Sequence, residues 1–407
     1  MKKHILLFSL LLLLGLVSCE GNKNKKSSSG RRYVVMLSLD GFRWDYQEMY
    51  NTPVLDSITK AGVKAESMQP VFPSKTFVNH YSVATGLYAD DHGIVLNNFY
   101  ANDLKKDYNK KDKSTVGEGI FYGGEPMWVT AKKQGVKSAT LFWVGSEADV
   151  MGIRPDYWFK YNQEMPFEAR IDTVINWLKL PYAKRPHLIM WYYHEPDYVS
   201  HHYGPASNKT EAVVEQIDRW LGDFFKEAKK LPVYDSIDFI IVSDHGMTAL
   251  SSEKQVILDD YIDTSDLVRY DGWNPNYNIQ PKKDKAEKVW KNLTTIPHVK
   301  VWKKGSLPER LHYGNNQRIY DFVLVADPGW SVYWSWQNKT GKGAHGYDNS
   351  FKDMQAIFYA TGPDFKRGYL QPPFPNVDVY PLAIKLLGLH PAKNDGNINE
   401  VSGMLKE

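Results

Sequence analysis

Three apolar runs in this chain stop at an aspartate. "YVVMLSLDG" brings Asp40, "HLIMWYYHEPD" brings Asp197, and "DFIIVSDHG" brings Asp244. Histidines lie beside them: His201 four residues past Asp197, His245 next to Asp244, and His345 between glycines in "GAHGYDN". Carboxylate and imidazole donors together suit zinc or a similar first-row ion. These groups exceed what one catalytic ion needs. Two ions a few ångströms apart would engage them all, and such pairs serve phosphate-ester chemistry. His80, His92, His194 and His202 are read as structural or exposed.

A hydroxyl complements the set. In "VFPSKTFVNHYSVATGLYADDHGI", Thr76 stands at the start of a helical stretch. A threonine there can simply cap the helix, as Ser74 could. It also sits beside free backbone N–H groups and the positive end of the helix dipole, a natural phosphate site. A metal against its oxygen would lower the hydroxyl pKa and make it a nucleophile. Phe77 could offer an apolar face to a substrate. Asn97, on the loop after the helix, could donate an amide N–H to a phosphoryl oxygen.

Positioning these groups requires strands whose carboxyl ends share one edge. The three aspartate-terminated runs and "MQAIFYATGP" (354–363) are continuous and apolar, as strands buried on both faces are. Between them apolar residues recur at helical spacing: Phe167, Ile171, Val174, Ile175 and Leu178; Val214, Ile217, Leu221 and Phe224; Leu382, Ala383 and Leu386. This alternation predicts an α/β fold with a largely parallel sheet covered by helices on both faces. In such sheets ligands bind beyond the carboxyl ends of the strands. Two stretches break the rhythm. Residues 101–124 are lysine-rich and predict an exposed excursion. Residues 251–343 are polar and aromatic, with strand signals such as "IYDFVLVAD", and predict an inserted cap subdomain.

The motifs and their order resemble the nucleotide pyrophosphatase/phosphodiesterase family of the alkaline phosphatase superfamily. The resemblance spans Tyr33 to Asn397 and includes "LSLDGFRWDY", "PSKTFVNHYSVATGLYADDHGIVLNNFY", "EPDYVSHHYGP", "VSDHGM", "GAHGYDN" and "PNVDVYPLAIKLLGL". It implies an alkaline-phosphatase-like core with two Zn2+. Asp197, His201 and His345 would hold one ion. Asp40, Asp244, His245 and the Thr76 hydroxyl would hold the other. Thr76 would form a phosphothreonine intermediate from which water releases a nucleoside 5′-monophosphate, with Asn97 binding the phosphoryl group. Phe77 and Tyr161 match positions that sandwich a base, and Trp143 and Glu147 resemble pocket residues of the nucleotide-cleaving branch. The lysines from Lys105 to Lys113 could reach distal phosphates or form a solvated loop. A choline-phospholipid phosphodiesterase, a phosphomonoesterase, and a non-catalytic lipoprotein that binds phosphorylated ligands are the alternatives.

The N-terminus reads as an address. Lys2 and Lys3 precede an apolar run from Ile5 to Val17, too short to span a bilayer, and Leu16-Val17-Ser18-Cys19 resembles a bacterial lipobox. Cys19 is the only cysteine, so lipidation gives it a purpose that a disulfide cannot. The expected layout is a signal peptide over 1–19 and a flexible tether over 20–32. The catalytic core follows over 33–250 and 344–397, with the inserted cap over 251–343 and a tail over 398–407. The protein is expected to be exported and held at a bacterial membrane through Cys19. A net charge of +3 over 407 residues gives no sign of a nucleic-acid-binding surface.

Overall fold

The computed structural model describes residues 32–337 and 341–407. The predicted signal peptide, Cys19 and nearly all of the tether lie outside the described residues. Eight strands form the central sheet: β1 (Tyr33–Leu39), β2 (Val63–Ala65), β3 (Ser138–Leu141), β4 (Tyr157–Phe159), β5 (Leu188–Tyr193), β6 (Ile237–Val242), β7 (Phe358–Thr361) and β8 (Tyr369–Gln371). Their spatial order is β8-β2-β7-β6-β1-β5-β3-β4. β7 runs antiparallel to β6 and β2, and every other pairing is parallel. The run at 354–363 therefore supplies the one reversed strand of a largely parallel sheet.

β1 shows why the sheet needs cover on both sides. Val34 and Met36 enter one apolar cluster, and Tyr33, Val35 and Leu37 enter another. Burying each such side chain contributes about 1.5–3 kcal/mol. The first cluster is closed by helices α2 (Thr76–Thr85) and α6 (Val379–Leu386), through Val78, Tyr81, Leu382 and Ile384. The second is closed by α1 (Pro53–Ala61), α3 (Phe167–Lys179) and α5 (Asn208–Ala228), through Leu55, Ile171, Val174, Leu221 and Phe224. The short helix α4 (Asp197–Tyr203) caps the carboxyl end of β5.

Residues 251–343 bring their own four-stranded antiparallel sheet, in the order Leu267–Trp273, Asn276–Pro281, Phe322–Ala326, Val299–Lys303. Helix Ala286–Leu293 packs on it through Val289 and Leu293, in a third apolar cluster with Tyr277, Ile279 and Leu324. A two-residue ladder, Thr248–Ala249 against Gly343–Ala344, joins the two ends of the segment.

The lysine-rich excursion differs from expectation. It begins as a hairpin, Asn98–Ala101 against Lys106–Asn109. Its aromatic residues face inward: Tyr108, Phe121 and Tyr122 are buried, and the Tyr108 and Tyr122 hydroxyls lie 2.7 Å apart. The lysines point outward and mask that inner face in the sequence. Residues 398–407 also pack down, with Val401 and Met404 buried and Leu405 bridged to Phe365.

Candidate active site

β6, β1 and β5 are neighbours at the centre of the sheet and run in one direction. Their carboxyl ends therefore deliver Asp244, Asp40 and Asp197 to one edge. Gly41 makes the close approach possible. Its φ is +66°, and a Cβ there would lie 2.9 Å from the Asp197 Cα. The Asp197 N–H donates to the Asp40 carbonyl at 2.9 Å, and the Gly41 N–H donates to Asp244 Oδ1 at 3.1 Å. Backbone thus ties the three carboxylates together.

The histidines are aimed by carbonyls. His201 Nδ1 donates to Gly343 O (2.8 Å), His345 Nδ1 to Ser74 O (2.7 Å), and His245 Nδ1 to Gly246 O (2.9 Å). A carbonyl only accepts, so each Nδ1 carries the proton and each Nε2 is left as a donor atom for a metal. These Nε2 atoms face the carboxylates. His245 lies 2.9 Å from Asp244 Oδ2 and 3.5 Å from Asp40 Oδ1. Asp197 Oδ1 lies 3.3 Å from His201 and 3.7 Å from His345. Thr76 Oγ1 is 3.2 Å from His245 Nε2. The His245 and His345 rings stack at 3.5 Å and link the two halves. All seven predicted ligand residues are thereby brought into one cluster.

The cluster fits divalent cations. Asp40 Oδ1, Asp197 Oδ1 and Asp244 Oδ2 are buried, and none has an aligned hydrogen-bond partner among the described residues. An orphaned buried carboxylate oxygen is costly unless a cation covers it. Two sets of ligand atoms lie within 4.8 Å of one another: Asp40, Asp244 and His245, and Asp197, His245 and His345. Electrostatics agree. Burial, then Asp244 and Asp197, push the Asp40 carboxyl well above its usual range. Burial would also raise Asp197, but His201 and His345 hold it well below. Asp244 is likewise held low against burial, by His245 and His80. Burial and then His245 hold His345 in its neutral, ligating form.

Thr76 is the first residue of α2, and the Lys75 side chain makes no cap. The threonine is not the N-cap, and its side chain faces the aspartate–histidine cluster. Asn97 Oδ1 accepts the Phe77 N–H at 2.9 Å, which turns the Asn97 Nδ2 donors away from the helix. The cluster opens into a cavity of about 710 Å3 lined by Phe77, Phe142, Glu147, Tyr161 and Tyr192. Glu147 Oε1 accepts the Tyr161 N–H at 2.6 Å, and the Phe142 ring meets Tyr161 edge-on at 5.5 Å. Trp143 touches the cavity but is only 1% exposed, and its indole N–H donates to His80 O. Its part is mainly to pack behind the site. Lys110 and Lys111 stand at the cavity edge, on the turn that follows the hairpin.

Four residues escaped the sequence reading. His80, assigned to a structural or exposed role, is fully buried 3.4 Å from Asp244 Oδ2. It also bonds Thr76 O (2.9 Å) and Ser38 Oγ (2.8 Å). Its spacing of four from Thr76 on one helix was the available signal. Tyr192 Oη donates to Asp40 Oδ2 at 2.5 Å; a tyrosine in an apolar strand carries no such signal. Ser74 Oγ donates to Tyr347 O and accepts the Gly346 N–H, holding the loop of His345. Lys75 is buried, with its pKa drawn down to about 7 by burial and then by Lys110. Its ammonium donates to His345 O (3.0 Å) and Asn274 O (2.9 Å).

A family model described as type I phosphodiesterase/nucleotide pyrophosphatase matches residues 34–348. A venom phosphodiesterase of Naja atra is 38% identical over 387 residues, which are 92% of this chain and 46% of that protein. Ectonucleotide pyrophosphatase/phosphodiesterase family member 1 of Homo sapiens is 37% identical over 386 residues, 91% of this chain and 42% of that one. The chain spans about half the length of these curated relatives. Among solved structures, an inactive murine ectonucleotide pyrophosphatase/phosphodiesterase 5 in complex with AMP superposes with a TM-score of 0.88. It is 32% identical, and the match covers 92% of this chain and 100% of that one.

Proposed function

The chain belongs to the type I phosphodiesterase/nucleotide pyrophosphatase family, within the alkaline phosphatase superfamily, and we propose that it hydrolyses nucleotide phosphodiester or pyrophosphate bonds to nucleoside 5′-monophosphates. The observation that carries this reading is Thr76 Oγ1 at the mouth of α2, 3.2 Å from His245 and beside three buried carboxylates with orphaned oxygens. The AMP held by the murine relative supports a nucleotide as the ligand.

Two Zn2+ ions, one against Asp197, His201 and His345 and one against Asp40, Asp244, His245 and Thr76, would supply Lewis-acid charge for activating the attacking oxygens and stabilising the leaving one. Thr76 Oγ bonds to phosphorus as the bond to the leaving oxygen breaks, its hydroxyl proton passing through solvent to the leaving oxygen, and a phosphothreonine nucleotide ester results. A water cleaves that ester and returns the hydroxyl. Asn97 Nδ2 donates to a non-bridging oxygen as its charge grows. The free N–H groups of the first turn of α2 add the helix-terminal field. Phe77 and Tyr161 hold the base, Glu147 fixes Tyr161 through its backbone, and Lys110 and Lys111 face the distal phosphates.

The test is AMP release from ATP by purified, zinc-loaded protein, with Thr76→Ala as control. Turnover, its loss on chelation, and a nucleotidyl adduct confined to Thr76 after acid quench are expected. Undiminished turnover by Thr76→Ala would refute the nucleophile. Rates on a phosphocholine ester and on a simple monoester separate the two other hydrolase readings. We also infer export and acylation at Cys19 from "LVSC". Release of the protein from membranes by Cys19→Ala is the check.

A further inference from the structure

The residues that lead into Thr76 are bonded along their length to the loop that carries His345. Ser74 is fully buried. Its carbonyl accepts the His345 Nδ1–H at 2.7 Å. Its hydroxyl accepts the Gly346 N–H at 3.1 Å and donates to the Tyr347 carbonyl at 3.0 Å. The Lys75 ammonium donates to the His345 carbonyl at 3.0 Å. Residues 345, 346 and 347 are therefore each bonded by residues 74–75. A hydroxyl carries one proton, and that of Ser74 is committed to Tyr347, so it does not cap the helix or reach a substrate. Gly346 lets the two segments close. Its φ is +110°, and a Cβ there would overlap the Lys75 side chain.

Thr76 itself faces the opposite half of the cluster. Its Oγ1 lies 3.2 Å from His245 Nε2, which adjoins Asp244 Oδ2 at 2.9 Å and Asp40 Oδ1 at 3.5 Å. His345 belongs with Asp197 and His201, whose Nε2 and Oδ1 atoms form the other half. Asp197 is tied to the Asp40 carbonyl and His201 to the Gly343 carbonyl. Of these three, His345 takes its aim from the segment that bears the proposed nucleophile. In an in-line displacement the leaving oxygen departs opposite the attacking one. The leaving oxygen, and later the water that cleaves the threonine ester, therefore lie on the side of Asp197, His201 and His345.

We propose that Ser74 is a positioning residue for the second step: it fixes His345 relative to Thr76 and thereby sets how fast water cleaves the phosphothreonine ester. This rests on the nucleotide-cleaving reading of the site. In that step a water oxygen bonds to phosphorus as the bond to Thr76 Oγ breaks. One water proton returns to Oγ and the other passes to solvent. The step needs the His345 half whatever the leaving group was. Formation of the ester needs that half less when the leaving group is p-nitrophenolate, whose charge is stable in water. Loss of the Ser74 hydroxyl releases the loop at Gly346 and Tyr347 and lets the His345 ring drift from Asp197, while Thr76 Oγ1 keeps its place beside His245. Formation then proceeds and cleavage lags.

The experiment follows the first turnovers of the p-nitrophenyl ester of thymidine 5′-monophosphate by the zinc-loaded parent, Ser74→Ala, Ser74→Cys and Ser74→Thr. Cysteine keeps the side-chain volume and serves where the alanine variant does not fold. In Ser74→Ala and Ser74→Cys a burst approaching one p-nitrophenolate per enzyme is expected, with a thymidylyl ester on Thr76 after acid quench. In these variants kcat and KM fall together by roughly 10–100-fold, while kcat/KM stays within about threefold of the parent. They also release zinc to a chelator more readily than the parent does. Ser74→Thr keeps the hydroxyl and restores turnover. Thr130→Val controls for lost stability alone. It deletes a buried hydroxyl, 2.8 Å from the Tyr380 hydroxyl, that lines neither the cavity nor the cluster, and it behaves as the parent. Parent-like kinetics in Ser74→Ala, a fall in kcat at constant KM with no ester on Thr76, or the same burst in Thr130→Val overturns the proposal. A parent that turns over no nucleotide ester overturns the catalytic reading, and this inference with it.

Discussion

Replacing Asn97 by aspartate exchanges one NH2 group for an oxygen and leaves the rest of the side chain in place. The Phe77 N–H donates to Asn97 Oδ1 at 2.9 Å, so the bonded atom is the oxygen and the outward atom is Nδ2. Aspartate keeps that bond and strengthens it, since a negative charge at a helix N-terminus gains about 0.3–1 kcal/mol. Stability is therefore expected to stay within about 1 kcal/mol of the parent. Catalysis responds oppositely. Losing one donor to a developing oxyanion costs about 2.7–4 kcal/mol, or ~10²–10³ in kcat. The aspartate adds like-charge repulsion with the phosphoryl oxygens, of order 4 kcal/mol at ~4 Å for an effective dielectric near 20. Asn97→Ala should lose about 10²-fold and Asn97→Asp at least ~10³-fold in kcat. Thermal unfolding stays unchanged in the aspartate variant, while the alanine variant, which loses the acceptor for the Phe77 N–H, drops in stability by about 0.5–2 kcal/mol. The assay is kcat on the p-nitrophenyl ester of thymidine 5′-monophosphate. An aspartate variant within about tenfold of the parent, or an alanine variant slower than the aspartate one, refutes the orientation of the amide.

Three further perturbations probe the site and the frame that carries it. Tyr192→Phe removes the hydroxyl that donates to Asp40 Oδ2 at 2.5 Å. Competition with a chelator should show roughly 10–100-fold weaker metal retention, with little change in fold. Gly41→Ala forces a side chain at φ +66° against the Asp197 backbone, 2.9 Å away. A stability loss of about 1–3 kcal/mol, together with impaired metal binding, is expected by urea unfolding and metal analysis. Asp238 lies near the start of β6, away from the strand end that bears the site, and its Oδ2 is orphaned. Burial, with Asp364 nearby, lifts its pKa from 3.8 to about 7. Between these values the native state holds a proton that the unfolded chain releases, so stability falls as pH rises through that window. Asp238→Asn should unfold at higher urea than the parent at pH 8, by up to about 4 kcal/mol, and equally with it below about pH 4. Equal midpoints at pH 8 would remove the buried acid from the account.

The strand-end aspartates were legible because a strand buried on both faces leaves a continuous apolar run, and the polar residue that ends it marks the carboxyl edge. Adjacency was not legible. That β6, β1 and β5 are neighbours is a fact of topology, and only it turns three separate runs into one cluster. The seven candidate ligand residues were nameable because three end apolar runs and the others fall in motifs that resemble the family's. His80 and Tyr192 were not, because their contribution is a hydrogen bond between elements distant in sequence. Trp143 lines the cavity as its type suggests, while its indole N–H is committed to His80 O. The hairpin at 98–109 was hidden by composition, since lysines dominate a stretch whose fold depends on the inward Tyr108.

Lys75 carries the argument one step further. Its buried ammonium touches two carbonyls, one on the loop of His345 and one at the tip of the inserted hairpin. A buried cation left without either acceptor is costly. The insertion and the ligand loop therefore share one electrostatic tie, next to the residue proposed to attack phosphorus. Displacing the hairpin tip would uncover the ammonium and loosen the His345 carbonyl together, without altering a ligand. The segment of the chain that departs most from the α/β frame is thus joined to the catalytic cluster through Lys75, as it is through the Gly343 carbonyl on His201. That join gives the insertion a physical means of shifting the His345 loop.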